Sequence, residues 1–335
     1  MRAIGVDWSG ARSEAVQRSA IWTAEAVDGE LRSLTAGRTR AETVDHLLAV
    51  LDDGTPAVVG LDFCFGFPGW WAAGFDARDG SGMWDVTSRE GESWLDVCPP
   101  PFWGRPGRPR PRDERPAFRR TELETPPGVR RPKSVFQIGG AGAVGTGSIR
   151  GMPALARLRR VGVPIWPFDP WPSASAVVVE AYPRWCTGNV VKRHQSARSA
   201  HLRRAWPALR AEHYDLASAS EDAFDAACTA LTLSLTPPPD VVTDGIDAIE
   251  GRVMPVVCRP VRPGYRTAMT DGPTDPQSLE QRLAAMEQRL QGLEKELAAA
   301  RADAKEVLPR TDEPTFAETG DVHPELTDDA IAPPG

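Results

Sequence analysis

The chain has 335 residues, of which 41% are hydrophobic, with 39 basic and 46 acidic side chains. This length can bury a sizeable core, and the glycines and prolines follow no three-residue period, which excludes a collagen-like fibre. No run of about 18 apolar residues occurs, which argues against a membrane span or secretory signal, so we expect a cytoplasmic protein. The 5 cysteines form no Cys-x-x-Cys pair, so we expect reduced, buried thiols rather than disulfides or a zinc site.

The negative charge is concentrated at the C-terminal end of the chain. Residues 276–335 hold 6 basic and 13 acidic side chains, so the preceding residues are balanced in charge. A neutral body with local basic clusters is compatible with a nucleic-acid partner, which a uniformly acidic surface would repel.

The first part of the chain alternates between strand and helix patterns. Strands are predicted over 3–8, 19–27 and 30–36, and the last two flank the turn pair Asp28-Gly29. Apolar residues at helical spacing predict a helix over 40–53. The nearly continuous apolar run at 57–67 is typical of a strand covered on both faces, as in a mixed α/β sheet.

Residues 68–133 interrupt this alternation. Tryptophans are interleaved with glycines there, and residues 99–133 are rich in proline and arginine, so we predict a long insertion or flap. Order returns with a predicted strand at 134–138, a glycine-rich turn at 139–147, a helix over 152–162, and strands at 164–168 and 175–182. The overall alternation predicts an α/β fold.

Two further helices are predicted before the chain changes character. A basic helix runs from Val191 to His213, and its charged face is either solvated or follows phosphates. His194, His201 and His213 are expected on its surface. The second helix, over 220–235, is almost entirely apolar after its first turns, so we expect it to pack against the sheet.

A heptad pattern follows the globular region. Leucine or methionine recurs at alternating steps of four and three at positions 279, 283, 286, 290, 293 and 297. The flanking pairs Arg282/Glu287, Arg289/Glu294 and Glu296/Arg301 have opposite signs, which predicts a homodimer through a parallel coiled coil over 279–301. An isolated amphipathic helix is the alternative.

Acidic side chains stand where strands or helices end. Asp7 lies in the first strand and Asp62 in the long apolar run, and a buried acid is costly unless it is paired or binds a cation. Glu180 closes another apolar run, whereas Asp222 and Asp225 lie three apart on one helix face. Carboxylates without a His/Cys cluster suit Mg²⁺ or Mn²⁺, and such a site can hydrolyse phosphodiesters.

Several motifs resemble a known family. They are GVDWSGA (5–11), GLDFCFGFP (60–68), SVFQIGGAGAVGTGSIRGMP (134–153), VVEAYPR (178–184) and SEDAFDAACTAL (220–231). Together they resemble the predicted RNase H-like nucleases known as domain of unknown function four hundred and twenty-nine. The last motif also looks like the final helix of the Holliday-junction resolvases of that superfamily.

The resemblance implies an RNase H-like mixed sheet flanked by helices over residues 1–262. It also implies that Asp7, Asp62, Asp222 and Asp225 are metal ligands. Glu180 would be a further acid of this cluster. It would bind the metal, position a water molecule, or form an ion pair with Lys192 or Arg184. The candidate substrate-binding residues are Ser9, Arg150, Arg184 and Lys192. The remaining chain is predicted as a linker at 263–275, a coiled coil at 276–304 and a disordered acidic tail at 305–335.

The sequence therefore predicts a nuclease that uses Mg²⁺ or Mn²⁺ and acts on nucleic acid. Two alternatives stay open. One is a non-catalytic RNase H-like scaffold that captures a partner through its coiled coil. The other, less favoured, is a nucleotide-dependent phosphotransferase, which requires a second nucleotide-binding lobe.

Overall fold

The computed structural model describes residues 1–256, except 76, 78, 113–114, 126–129, 174 and 242. The strands are β1 Arg2–Asp7, β2 Trp22–Val27, β3 Glu30–Thr35, β4 Ala57–Leu61, β5 Ile165–Trp166 and β6 Val177–Glu180. The helices are α1 Glu14–Ala20, α2 Arg40–Leu51, α3 Gly69–Ala72, α4 Gly80–Val97, α5 Arg120–Leu123, α6 Gly145–Arg160, α7 Pro183–Thr187, α8 Gln195–Ala205, α9 Ala211–Ala219, α10 Glu221–Leu235 and α11 Asp247–Glu250.

The strands form one mixed sheet in the order β3-β2-β1-β4-β6-β5. β2 is antiparallel to β1 and β3, whereas β1, β4, β6 and β5 run parallel to one another. Helices flank this sheet, which confirms the predicted α/β class. Because parallel strands end at the same edge, the residues that follow β1, β4 and β6 lie side by side.

Alternate residues of the central strands face different helical layers. Ile4 and Val6 of β1 and Val59 of β4 belong to the main hydrophobic core, together with side chains of α4 and α6. The intervening residues face α10, which packs on β1, β2 and β4. This helix begins as the sequence predicts, because the Ser220 side chain accepts a hydrogen bond from the Ala223 amide at 3.0 Å.

Two glycines let α10 approach the sheet closely. A Cβ atom on Gly5 would lie 2.5 Å from the Ala226 carbonyl oxygen and 2.6 Å from the Ala230 amide. A Cβ atom on Gly60, which pairs with Gly5 in the parallel register, would lie 2.5 Å from a Leu233 methyl carbon. The absence of these two side chains therefore sets the distance between α10 and the ends of β1 and β4.

Gly5→Ala is expected to lower the free energy of unfolding by about 2 kcal/mol, because the helix backbone would have to move away from the strand. Thermal unfolding followed by circular dichroism measures the loss. Gly245→Ala is the matched control, since no heavy atom lies within 4 Å of its added Cβ. Equal melting temperatures for the two variants would contradict this packing.

The predicted insertion is built into the core in its described part. It contains the 18-residue helix α4, which the sequence analysis did not predict. Trp84 and Trp94 of this helix are buried and join the same hydrophobic core as the sheet, as does Phe102. Trp94 and Phe102 stack with their ring centroids 5.6 Å apart. The tryptophans that interrupted the sequence pattern thus pack beneath the sheet.

Some predicted boundaries were wrong. Residues 134–138 form no strand and make only an isolated bridge between Gln137 and Trp103. The helix predicted over 152–162 instead spans Gly145–Arg160 and includes the end of the glycine-rich turn. α1 was not predicted, and β2 begins only after it.

The prediction of a single basic helix over 191–213 was also wrong. This segment contains two helices, α8 and α9, because Pro207 follows Trp206 and disfavours helical geometry at that residue. Arg198 is buried and donates hydrogen bonds to the carbonyl oxygens of Ser218 and Ala219. Its guanidinium therefore joins α8 to the end of α9 instead of facing phosphates.

The predicted linker, coiled coil and acidic tail lie outside the described residues, which all belong to the first of two units, Met1–Tyr265. In the described part of the chain, Cys64, Cys98, Cys186 and Cys228 are buried and form no disulfide. None of the helices described there is both long and apolar enough to cross a membrane.

Candidate metal centre

Asp7 and Asp62 are neighbours at the carboxyl edge of the sheet. Asp7 ends β1, and Asp62 follows directly after β4. The strands are in register, with Val6 opposite Leu61, and the Asp62 amide donates a hydrogen bond to the Val6 carbonyl oxygen at 3.1 Å. By the two-residue period of a strand, both acids continue the side of the sheet that faces α10.

Helix α10 brings a third carboxylate to this edge. Asp7, Asp62 and Asp225 each offer one carboxylate oxygen, and these oxygens all lie within 4.8 Å of one another. Asp222 lies in the first turn of the same helix and is outside this trio, although its charge acts on Asp7 and Asp62. The sequence could not rank the two helix acids, and the geometry places Asp225 at the centre of the cluster.

The acids repel one another across a poorly solvated site. Burial raises the pKa of Asp7 well above its usual range, and Asp62, Asp225 and Asp222 raise it further. Burial and the Asp225 charge raise the pKa of Asp62 to about 7. The pKa of Asp225 and that of Asp222 are raised as well, mainly by burial. Such a cluster binds protons strongly because its buried carboxylates outnumber the positive charges beside them.

One cation of the chain meets this cluster. The Lys192 ammonium lies 2.6 Å from Oδ1 and 2.7 Å from Oδ2 of Asp225, and both side chains are largely buried. Lys192 was predicted to contact substrate phosphate. The structure pairs it with Asp225, where it lowers the pKa values of all three acids of the trio, and the contact with phosphate stays a prediction.

The three-acid site fits a divalent cation. Oxygens on opposite sides of a Mg²⁺ ion lie about 4 Å apart, so three oxygens within 4.8 Å of one another are compatible with a shared ion. Oδ1 of Asp225 is buried beside the Lys192 ammonium, at 2.6 Å, but accepts no hydrogen bond of normal geometry from the described residues. Carboxylate oxygens are also the ligands that Mg²⁺ and Mn²⁺ prefer. Asp7, Asp62 and Asp225 would hold the ion, with Asp222 at the margin.

The raised pKa of Asp62 has a measurable consequence for stability. Unfolded Asp62 ionises near pH 4, whereas folded Asp62 keeps its proton to about pH 7. The folded state therefore binds more protons between these values, and stability falls as pH rises through this range. In EDTA, Asp62→Asn should match the wild type near pH 4 and exceed it at pH 8 by on the order of 2 kcal/mol.

Urea unfolding at several pH values measures this difference. Asp45→Asn, at an exposed surface acid, controls for the loss of one negative charge. A wild-type protein that gains stability relative to Asp62→Asn between pH 4 and pH 8 would contradict the arrangement of the acids.

Glu180 lies in a second cluster beneath the edge of the sheet. It ends β6, opposite Leu61, and its side chain is buried. Its carboxylate accepts hydrogen bonds from both terminal nitrogens of Arg119, at 2.8 and 2.5 Å, and from the Phe65 amide at 2.9 Å. The partner of Glu180 is therefore Arg119 and neither Lys192 nor Arg184, the two cations considered from the sequence.

Arg119 joins Glu180 to a second buried acid. Its Nε donates to Glu122 at 2.7 Å, and both Arg119 and Glu122 are 0% exposed. Burial raises the pKa of Glu122 to about 7, against the opposing effect of Arg119. Cys64, Glu122 and Glu180 also lie within 4.8 Å of one another, but the Arg119 guanidinium already pairs with both acids. This cluster is therefore a structural ion-pair network rather than a metal site.

The other predicted substrate-binding residues hold the backbone near the acids. The Ser9 hydroxyl accepts a hydrogen bond from the Ala11 amide at 3.2 Å. Arg150 donates to the Gly10 carbonyl oxygen and pairs with Glu92, which fixes the loop after β1. Arg184 donates to the Val190 carbonyl oxygen at 2.7 Å. All three lie near the candidate site, with polar groups engaged within the protein.

The histidines were predicted to lie on the surface, which was wrong for two of them. His201 and His213 are buried, because α9 packs on α10 and β3 and α8 packs on α9. His201 contacts the Phe224 ring, with centroids 5.5 Å apart, and burial lowers its pKa to about 4. His194 is exposed at the start of α8.

The sequence did not identify two residues near the acids. Arg119 was not distinguished from the other arginines of the insertion. Tyr182 belongs to the motif VVEAYPR, but no role was assigned to it. Burial and Asp62 raise the pKa of its phenol to about 12, whereas Arg184 and Arg130 lower it. Charges of the acidic cluster and of the insertion therefore both act on Tyr182.

No family model, curated protein or solved structure matches the chain significantly. The resemblance to RNase H-like nucleases therefore stays a prediction that rests on the sequence motifs.

Proposed function

We propose that this protein is a divalent-metal-dependent nuclease of the RNase H-like type that hydrolyses nucleic-acid phosphodiesters. The observation that carries the proposal is the meeting of Asp7, Asp62 and Asp225 within 4.8 Å at the carboxyl edge of a mixed sheet. These acids come from three separate elements, β1, the end of β4 and α10. Structural ion pairing does not explain this arrangement, since one lysine faces several carboxylates.

The chain's own residues would have distinct roles in this reaction. Asp7, Asp62 and Asp225 hold Mg²⁺ or Mn²⁺, which polarises a phosphoryl oxygen when bound. Lys192 orients Asp225 through its ion pair. Gly5 and Gly60 allow α10 to approach the sheet, and so keep Asp225 near the strand acids. The mixed sheet flanked by helices supports the RNase H-like assignment without identifying the family.

Hydrolysis of labelled DNA and RNA tests the proposal. We expect cleavage of at least one of these substrates in Mg²⁺ or Mn²⁺ and none in EDTA. Single strands, duplexes, DNA–RNA hybrids and four-way junctions cover the substrate classes that the family resemblance suggests. If the protein binds the metal but cleaves none of these substrates, the proposed activity is overturned.

A further inference from the structure

The insertion carries a strongly basic pocket, which we call the Arg–Trp pocket. Its lining includes Trp103, Phe118, Arg110, Arg130, Arg131 and Lys133, and it encloses about 320 Å³. Among the residues that the structure describes, no carboxylate lines it. Within the described residues, none of its four cationic side chains forms an ion pair. The pocket is therefore built to receive negative charge.

Flat cationic and aromatic groups alternate along this pocket. The Arg110 guanidinium lies 5.3 Å from the centre of the Trp103 ring and 5.5 Å from that of Phe118. The Arg131 guanidinium lies over the Phe118 ring at 4.0 Å. Guanidinium planes and aromatic rings are the surfaces on which unpaired bases stack, while the same arginines attract phosphates.

The pocket is connected to the candidate metal centre through the chain. Phe118 is followed directly by Arg119, whose guanidinium binds Glu180, opposite Leu61 at the end of β4. This buried pair fixes one wall of the pocket relative to the sheet edge that carries Asp62. Tyr182 lies within electrostatic range of both Arg130 and Asp62. A strand seated in the pocket could continue past Tyr182 to the acids.

The size of the pocket favours one strand over two. A volume of this order suits a small unit such as one nucleotide. The faces of duplex bases are covered by neighbouring bases, so a duplex offers only base edges and backbone and cannot stack on the aromatic and guanidinium surfaces of the pocket. We infer that the Arg–Trp pocket binds an unpaired nucleotide of single-stranded nucleic acid and directs that strand to the acidic cluster, an inference that rests on the proposed nuclease function.

Fluorescence anisotropy with labelled oligonucleotides tests this inference. The full-length Asp7→Asn protein in EDTA is titrated against a thymidine DNA homo-oligomer, a uridine RNA homo-oligomer and a DNA duplex of equal length. We expect at least one single strand to bind about ten-fold more tightly than the duplex. The DNA and RNA strands distinguish the two sources of an unpaired nucleotide, and a preference for either supports the inference.

Paired variants separate the pocket from general positive charge. Arg110→Ala/Arg131→Ala should weaken single-strand binding about ten-fold and reduce the slope of log affinity against log salt by about 1.4 between about 50 and 200 mM salt. Arg105→Ala/Arg108→Ala removes the same charge from exposed sites of the same segment. This control should change affinity less than about three-fold. Circular dichroism checks that each variant is folded.

Three results would overturn the inference. They are no binding of either single strand at low salt, equal affinity for strand and duplex, and an equal loss of affinity in the Arg105/Arg108 control. The measurement uses no metal and a variant without Asp7, so it does not depend on hydrolysis. Intact single-strand binding by a protein that cleaves nothing would overturn only the proposed nuclease function.

Discussion

The Asp7→Asn protein is expected to hydrolyse nucleic acid about 10³-fold more slowly than the wild type, the equivalent of about 4 kcal/mol in the barrier. Asparagine keeps the shape of the side chain but removes one of the three charges that would hold the metal. Initial rates in Mn²⁺, measured on whichever substrate the wild type cleaves, give the ratio.

Two further variants make this result specific. Asp45→Asn removes an exposed acid that pairs with Arg157 on α6 and should leave the rate unchanged. Asp222→Asn should reduce the rate less than Asp7→Asn, because Asp222 lies outside the three-acid cluster. Full hydrolysis by Asp7→Asn would refute the role assigned to the cluster.

Arg119→Met is expected to lower the free energy of unfolding by about 3–5 kcal/mol. Methionine fills part of the space, but it leaves Glu122 and Glu180 buried without their shared cation. Urea unfolding at pH 7.5 measures the loss, since lower pH would protonate Glu122, whose pKa burial raises to about 7, and would hide part of it.

A rescue variant and a surface control test this interpretation. Arg119→Met/Glu122→Gln/Glu180→Gln removes the uncompensated charges and should recover a large part of the stability. Arg157→Met breaks an exposed pair and should cost at most about 1 kcal/mol. If Arg119→Met costs no more than Arg157→Met, the buried network is not a major source of stability.

The sequence predicted those elements whose local pattern and burial agree. The helix over 40–53 and the helix over 220–235 have regular apolar spacing or a clear N-cap, and both were found within a few residues of their predicted ends. Asp7 and Asp62 stood out because a carboxylate inside a strongly apolar strand is costly without a partner, and the family resemblance supplied their expected role as metal ligands. That argument identified Asp7 and Asp62 without any knowledge of the sheet order.

The missed elements depend on contacts between distant residues. Glycine disfavours helices, yet α6 begins at Gly145, where a Cβ would lie 2.1 Å from the Val135 carbonyl oxygen. Close packing therefore selects glycine there. Similarly, α4 was missed although Met83, Trp84, Thr87, Gly91, Trp94 and Leu95 recur at helical spacing, because the glycines within it disfavour a helix.

The partner of Glu180 could not be predicted for the same reason. Arg119 lies 61 residues away in sequence, within a segment that contains many other arginines. Nothing in the local pattern distinguishes the buried arginine from its exposed neighbours. Lys192 presents the related case, since its pairing with Asp225 depends on how α10 lies against the sheet.

Calorimetric titration of Mn²⁺ into the full-length wild type and Asp7→Asn at pH 7.5 tests the central claim most directly. The acidic tail contributes equally to both proteins, so the difference between the two isotherms reports the cluster alone. We predict a binding event in the wild type that is absent from Asp7→Asn and present in Asp45→Asn. Indistinguishable isotherms for the wild type and Asp7→Asn would contradict the proposal that these carboxylates form a metal centre.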